Sequence, residues 1–348
     1  MMRSLFSGVS GLRNHQTRMD VIGNNIANVN TTGFKASRTV FQDIFSQAVR
    51  GSSQGSEFMG GTNPIQIGLG MRLGTIDTLF RPGAFGGTDN ITDCTIGGDG
   101  FFTISTNGLD GADGKYLFTR AGNFYIDNFG HLVTSNGDYV MGYLIDFSNY
   151  YMDDANNNLV RDPTFDIDGN LVAPDAVTLI GDPAASADLS KIYLRNNGTA
   201  PYIENGLLQE STHPDGPIAS DAKDPALDEV FTDIKIDKDG VVWGFAGDEL
   251  LYPIAKIALA MFVNNGGLEK QGDSLYRNTG NSGDPMYAYA KKLGSGAGLI
   301  MPGGLEMSNV DLAQEFTDMI VTQRGFQANS RIITVSDTLL EELVNLKR

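Results

Sequence analysis

A single cysteine, Cys94, in 348 residues excludes an internal disulfide and any multi-thiolate metal site. The three histidines, His15, His131 and His213, lie far apart and share no paired spacing with carboxylates. Serine-nucleophile motifs are missing as well, so nothing in the chain points to catalysis or to a cofactor. No apolar run approaches the ~18–20 residues that span a bilayer, which argues against membrane insertion. The N-terminus also lacks an uninterrupted apolar stretch with a cleavage site, so if the protein leaves the cytoplasm it is expected to do so without a cleaved secretory signal. Basic side chains are the minority, 25 against 42 acidic, and the net charge of −17 argues against a nucleic-acid partner. Proline is absent from both ends: all twelve fall between Pro64 and Pro302.

Those proline-free ends carry the longest helical periods. From Ser308 onward apolar residues recur at Leu312, Phe316, Met319, Phe326, Ile333 and Leu340, with Ile320, Val335, Leu339, Leu343 and Leu346 widening the stripe. Ser308 with Asp311 reads as a capping pair at its start. The first segment mirrors the last, with Leu5, Val9, Leu12, Met19, Ile22, Ile26 and Val29 at three-to-four spacing and Arg3, Asn14, Thr17 and Arg18 on other faces. Asn28, Asn30, Thr31, Thr32 and Gly33 signal its end. A second short helix is expected from Ala36 to Val49, then a loose stretch over Gly51–Gly61. Isolated helices at chain ends are marginal in water, so the two stripes are expected to pair with each other and with copies of themselves, as in a coiled coil.

Between the ends the chain reads as β. Strands are expected within Gly68–Phe80, Cys94–Ile96, Phe101–Ile104, Tyr116–Thr119 and Phe124–Ile126, with turns at Gly97–Gly100 and Asn128–Gly130. A hairpin, Ile234–Ile236 with Val241–Trp243 about Asp237–Gly240, precedes the apolar run Ile254–Val263. Residues 146–239 hold 19 acidic and 6 basic side chains, hence −13 of the net charge, most simply a solvated outer face. Within them, 146–228 is turn-rich with short apolar runs such as Ala176–Ile180 and Ile192–Leu194, and reads as an inserted β domain. The expected class is α+β and discontinuous. A terminal helical coiled-coil domain (1–70 and 301–348) flanks a β-rich middle domain (71–145 and 229–300) carrying the insert (146–228).

The candidate chemical motifs are weak. Asp154–Asn158 has the alternating oxygens of a calcium loop but lacks glycine at the sixth place (Leu159) and glutamate at the twelfth (Phe165), so turn chemistry is the better reading. Asp166–Gly169 and Asp237–Gly240 read as hairpin turns. The Gly97–Gly100 turn leads into a strand rather than a helix N-terminus and so does not cradle phosphate. Cys94 sits in an apolar alternation and reads as a small buried hydrophobe. An Asp-rich calcium- or carbohydrate-binding β protein remains the alternative from another class.

Ser7–Leu12 followed by Asn24-Asn25-Ile26-Ala27-Asn28-Val29-Asn30-Thr31-Thr32-Gly33-Phe34-Lys35 resembles the N-terminal signature of the bacterial flagellar rod and hook axial proteins. Glu306–Ala313 with Gln323-Arg324-Gly325-Phe326-Gln327-Ala328-Asn329-Ser330 is similar to that family's other end. Gly97–Phe102, Phe118–Phe124 and Gly266–Glu269 match between them, in order. The resemblance implies a structural subunit, not an enzyme, that stacks with many copies into a hollow tube. Its terminal helices would form the inner layer and stay disordered until assembly, with β domains outside. Asn24–Lys35 and the segment to Gly61 would connect the layers, and Gly51–Gly61 and Gly294–Gly304 would supply give. The extra outer domain is most similar to hook subunits, which form a flexible universal joint transmitting torque; a rigid distal rod subunit is the alternative. Implied partners are the flagellar rod, hook cap, hook–filament junction proteins and the flagellar export apparatus.

Overall fold

The computed structural model describes residues 2–52, 54, 60–106, 116–127, 130–144, 150–153, 158–161, 189–192, 202–204, 207–209, 233–245, 251–290 and 298–346. The chain divides into two compact units, Met1–Arg81 with Ser308–Arg348, and Pro82–Met307.

The first unit holds the two long helices, α1 (Met2–Ala27) and α2 (Leu312–Asn345). Helix α1 stops where the Asn28 side chain donates to the Asn24 carbonyl, Thr31 Oγ1 donates to Asn28 Oδ1, and Gly33 turns left-handed at φ +67°. Val29 therefore lies past the helix end, in the turn. Helix α2 is capped by Asp311, whose carboxylate accepts from the Ala313 and Gln314 amides. Ser308 serves only the Val310 amide, so the expected cap moves to Asp311.

The expected helix over Ala36–Val49 is instead two strands, β1 (Ser37–Asp43) and β2 (Ser46–Arg50). Val40, Ile44 and Ala48 are four apart, and that spacing keeps one face in a helix and in a strand alike. Tertiary pairing decides between them: β1 pairs antiparallel with β4 (Met71–Thr78), and β2 with β3 (Ile65–Gly68).

The described elements of the second unit are strands, apart from a short 3-10 turn at Asn265–Gly267. Strands β5 (Phe85–Gly87) and β6 (Cys94–Gly97) pair late in the chain with β24 (Gly304–Glu306) and β23 (Leu299–Pro302). The expected give across Gly294–Gly304 is thus taken up from Leu299 onward by paired strands. Gly98 and Gly100 carry the chain, at φ +143° and +129°, from β6 into β7 (Phe101–Ser105), so that turn links different sheets.

Strand β7 enters a large antiparallel sheet with β8 (Leu117–Thr119) and β11 (Tyr139–Leu144), reached through β9 (Phe124–Ile126) and β10 (Leu132–Thr134). In the expected insert, β12 (Tyr150–Asp153) pairs with β13 (Asn158–Arg161), and β15 (Tyr202–Glu204) with β16 (Leu207–Gln209). Strand β14 (Ser190–Lys191) joins β11, which brings Ile192 into the core. Asp154, Asp166–Gly169 and Ala176–Ile180 lie outside the described residues.

The hairpin β17 (Asp233–Ile236) and β18 (Val241–Phe245) leads to β19 (Leu251–Met261), the long strand at the centre of the sheet. It pairs with β18, β11, β7 and β22 (Met286–Tyr289). Ile254, Ala255, Ile257, Ala258, Leu259 and Ala260 are buried, which is why this stretch reads as an unbroken apolar run. Strands β20 (Glu269–Gly272) and β21 (Leu275–Arg277) close the far edge. Cys94 lies in the core, and burial pushes its thiol up to about 12, which keeps it an inert thiol.

Candidate functional site: a helix seam and its junction

The two terminal helices pack against each other. Helices α1 and α2 run antiparallel, with Ser4 beside Ser336, Gly8 against Ile333 and Asn329, and His15 against Gly325. Farther along, Arg18 donates to Asp318 at 3.1 Å and Asn25 to Glu315 at 2.9 Å. The seam is built on small and polar residues. Gly8, Gly11, Thr322 and Ser336 are buried, and a Cβ on Gly11 would collide with the Asn329 amide. A Cβ on Gly325 would come within 2.9 Å of the His15 ring. Close approach of the backbones is what these glycines permit.

Of the residues expected to line the pairing face, Ile22 is buried; Leu5, Leu12, Met19 and Ile26 are half-buried, as are Met319, Phe326, Ile333 and Leu340 on α2. Val9, Leu312 and Phe316 are exposed instead, as are Gln323 and Arg324, and Arg324 donates to Gln327 along its own helix. Arg18 and Asn14, expected off the apolar stripe, also make contacts: Arg18 bridges to α2, and Asn14 donates to the Met71 carbonyl at 2.7 Å. Their polarity hid them from a reading based on apolar spacing.

A second apolar face remains uncovered. Phe6 on α1, and Leu312, Phe316, Ile320, Val321, Ile332, Val335, Leu339, Leu343, Val344 and Leu346 on α2, are exposed.

The signature segments converge at one end of the seam. Asn25 is buried; its amide donates to Glu315 and to the Ser37 carbonyl at 2.8 Å, and its Oδ1 accepts from the Ser37 amide at 3.0 Å. One side chain thereby joins α1, β1 and α2. Burial raises the pKa of the Glu315 carboxyl, a shift the Asn25 hydrogen bond partly offsets. Lys35 is fully buried and donates to the Arg81 carbonyl at 2.8 Å. Asn309, from the other signature, donates to the Leu79 and Arg81 carbonyls and accepts from the Ala36 amide. Asn24 and Asn28 shape the helix stop, Gly33 is buried, and Thr32 and Phe34 are half-buried beside it, while Asn30 is exposed.

The β unit has its own signature pair. Arg120 lies 3.5 Å from Glu306, both fully buried, and the guanidinium sits over the Phe101 ring at 5.3 Å. Glu306 also accepts from the Gly83 amide at 2.8 Å. Burial lowers the pKa of Arg120, and Glu306 opposes that shift. Neighbouring Gly122 passes so close to the Cys94 carbonyl that no Cβ fits. Among the described residues there is no group of three metal-ligating side chains, and no helix is long and apolar enough to cross a membrane.

Three family models match the chain: "Flagella basal body rod protein" over residues 5–35, "Flagellar hook protein FlgE/F/G D1 domain" over 95–244, and "Flagellar basal body rod FlgEFG protein C-terminal" over 301–346. A Bacillus subtilis protein named flagellar basal-body rod protein FlgG is 39% identical over 348 residues, covering 100% of both chains. The flagellar hook protein FlgE of Borreliella burgdorferi is 35% identical over 458 positions, and that of Treponema pallidum 33% over 471, again covering 100% of each chain. The alignments to both hook proteins exceed this chain's length, so those relatives carry sequence that it lacks.

Proposed function

Because the chain belongs to the bacterial flagellar rod and hook axial protein family, we propose that it is a subunit that polymerises through its two terminal helices into the hollow axial tube of the flagellum. One observation carries this reading. In the helical unit, Ile22 and Ala36 are the buried hydrophobics among the described residues, while Phe6, Val9, Phe45, Val49, Phe316, Ile320, Val335, Leu339 and Leu343 are exposed. A unit with so little core of its own is stabilised when neighbouring copies cover those faces, because each large apolar side chain removed from water contributes about 1.5–3 kcal/mol.

Within the family we read the chain as a hook subunit, a flexible joint passing torque from rod to filament, on the strength of the acidic 146–228 block set between the two halves of its β body. The end-to-end match to a rod protein at 39% identity favours a second reading, a rigid distal rod subunit. Partners on either reading are other copies of the chain, adjoining axial proteins (rod, hook cap, hook–filament junction) and the export apparatus. Imaging basal bodies from cells lacking the gene separates the two: a rod ending without a curved extension supports the hook, and loss of the distal rod itself supports the shaft. A chain lacking residues 1–30 and 317–348 is expected to stay soluble; tubes formed by it would contradict assembly through the helices.

A further inference from the structure

We infer that His15 makes the seam between the two terminal helices pH-sensitive, so that protonating its imidazole loosens the α1–α2 pair. The ring lies against α2, its Cε1–Nε2 edge at the Gly325 backbone, and it meets the Phe41 ring in a T-shaped contact with centroids 6.2 Å apart. Its Nδ1 is buried and has no hydrogen-bond partner among the described residues. A neutral ring tolerates that position; a protonated one carries an N–H at both nitrogens and a charge without an acceptor at Nδ1.

The groups around it do not receive that charge. On α1 the nearby cation is Arg18, of like sign to the protonated ring, and its guanidinium already engages Asp318 of α2 at 3.1 Å. From α2, Gly325 presents backbone only. Strand β1 contributes the Phe41 ring, and the Met71 carbonyl of β4 is taken by Asn14. Burial first and Arg18 second accordingly hold the pKa of His15 below the ordinary imidazole value.

A histidine depressed in the folded state contributes stability that is complete above its unfolded pKa of about 6.5 and is lost as pH falls through the folded value. One such proton changes the pairing constant by at most about tenfold per pH unit. Glu315, raised by burial, acts in the opposite sense from its ordinary value upward, so the informative quantity is the difference between the native chain and a His15→Gln variant. The response belongs to one chain; its consequence for tubes rests on the assembly reading.

The test is an imidazole NMR titration of the full chain, with His15→Gln assigning the signal, alongside far-ultraviolet circular dichroism from pH 8 to 4.5. His15 is expected to titrate below 6.5, with helix signal lost in the same window in the native chain and retained in His15→Gln. His15→Arg should show the acid behaviour at neutral pH. An ordinary or raised midpoint, or parallel loss of helix in native and His15→Gln chains, overturns the inference. Electron micrographs of the same samples at pH 7.5 report separately on assembly, and absence of tubes there would count against that reading alone.

Discussion

The two units of this chain solve the same problem in opposite ways. The β unit buries a core among its described residues: β19 is buried along most of its length, aromatic pairs such as Phe118–Phe262 and Phe102–Phe124 pack edge to face, and the Arg120–Glu306 ion pair is fully buried. The helical unit brings its two helices together around glycine, serine, threonine and asparagine, half-buries one row of large apolar side chains and leaves another exposed. Among the described residues the first has an extensive buried core, and the second has little of one. The difference teaches that helix pairing and hydrophobic burial are separate tasks here: small and polar residues bring the helices together, and many large apolar side chains stay exposed.

The comparison can be broken most forcefully in the β unit. Glu306→Ala strands the Arg120 guanidinium in the interior, and breaking a buried pair costs about 3–5 kcal/mol. Urea unfolding of the β signal should show that loss. A change under about 1 kcal/mol, typical of exposed pairs, would mean that water reaches the site. In the helical unit, Asn25→Ala leaves the Ser37 backbone and Glu315 without their shared partner, a loss of about 1–3 kcal/mol. Hydrogen exchange at the α1 end and along β1 should quicken while the β unit is unchanged.

Leu339→Ser on the outer face is expected to shift single-chain stability by no more than about 0.5 kcal/mol, yet to raise the concentration needed for assembly in sedimentation. Equal effects on stability and assembly would show that this face is already used within the chain.

Much of this was legible from the residues alone, for identifiable reasons. The helices announce themselves because their spacing is sustained and ends in Asn28, Thr31 and Gly33; β19 does so because a buried strand reads as an unbroken apolar run. The strands β1 and β2 were hidden because residues four apart satisfy both periods, and pairing with β4 and β3 lies beyond any local window. The seam was hidden for a different reason: Gly8, Gly11, Gly325 and Ser336 carry no hydropathy signal, although they decide where the helices touch. Arg18–Asp318 and Arg120–Glu306 join positions 300 and 186 residues apart, which no spacing argument connects. The Asn25, Lys35 and Asn309 junction was visible only as signature residues; their shared duty of tying β1 and the Leu79–Arg81 backbone to the helices emerged from the hydrogen bonds.

The proposal that neighbouring copies cover the helical unit is tested most directly by amide hydrogen exchange on the full chain, dilute and after assembly. Protection should rise along α1 and α2 on assembly and stay constant across β7, β11 and β19. Helices already as protected in the dilute chain as β19, with no gain on assembly, would contradict the account.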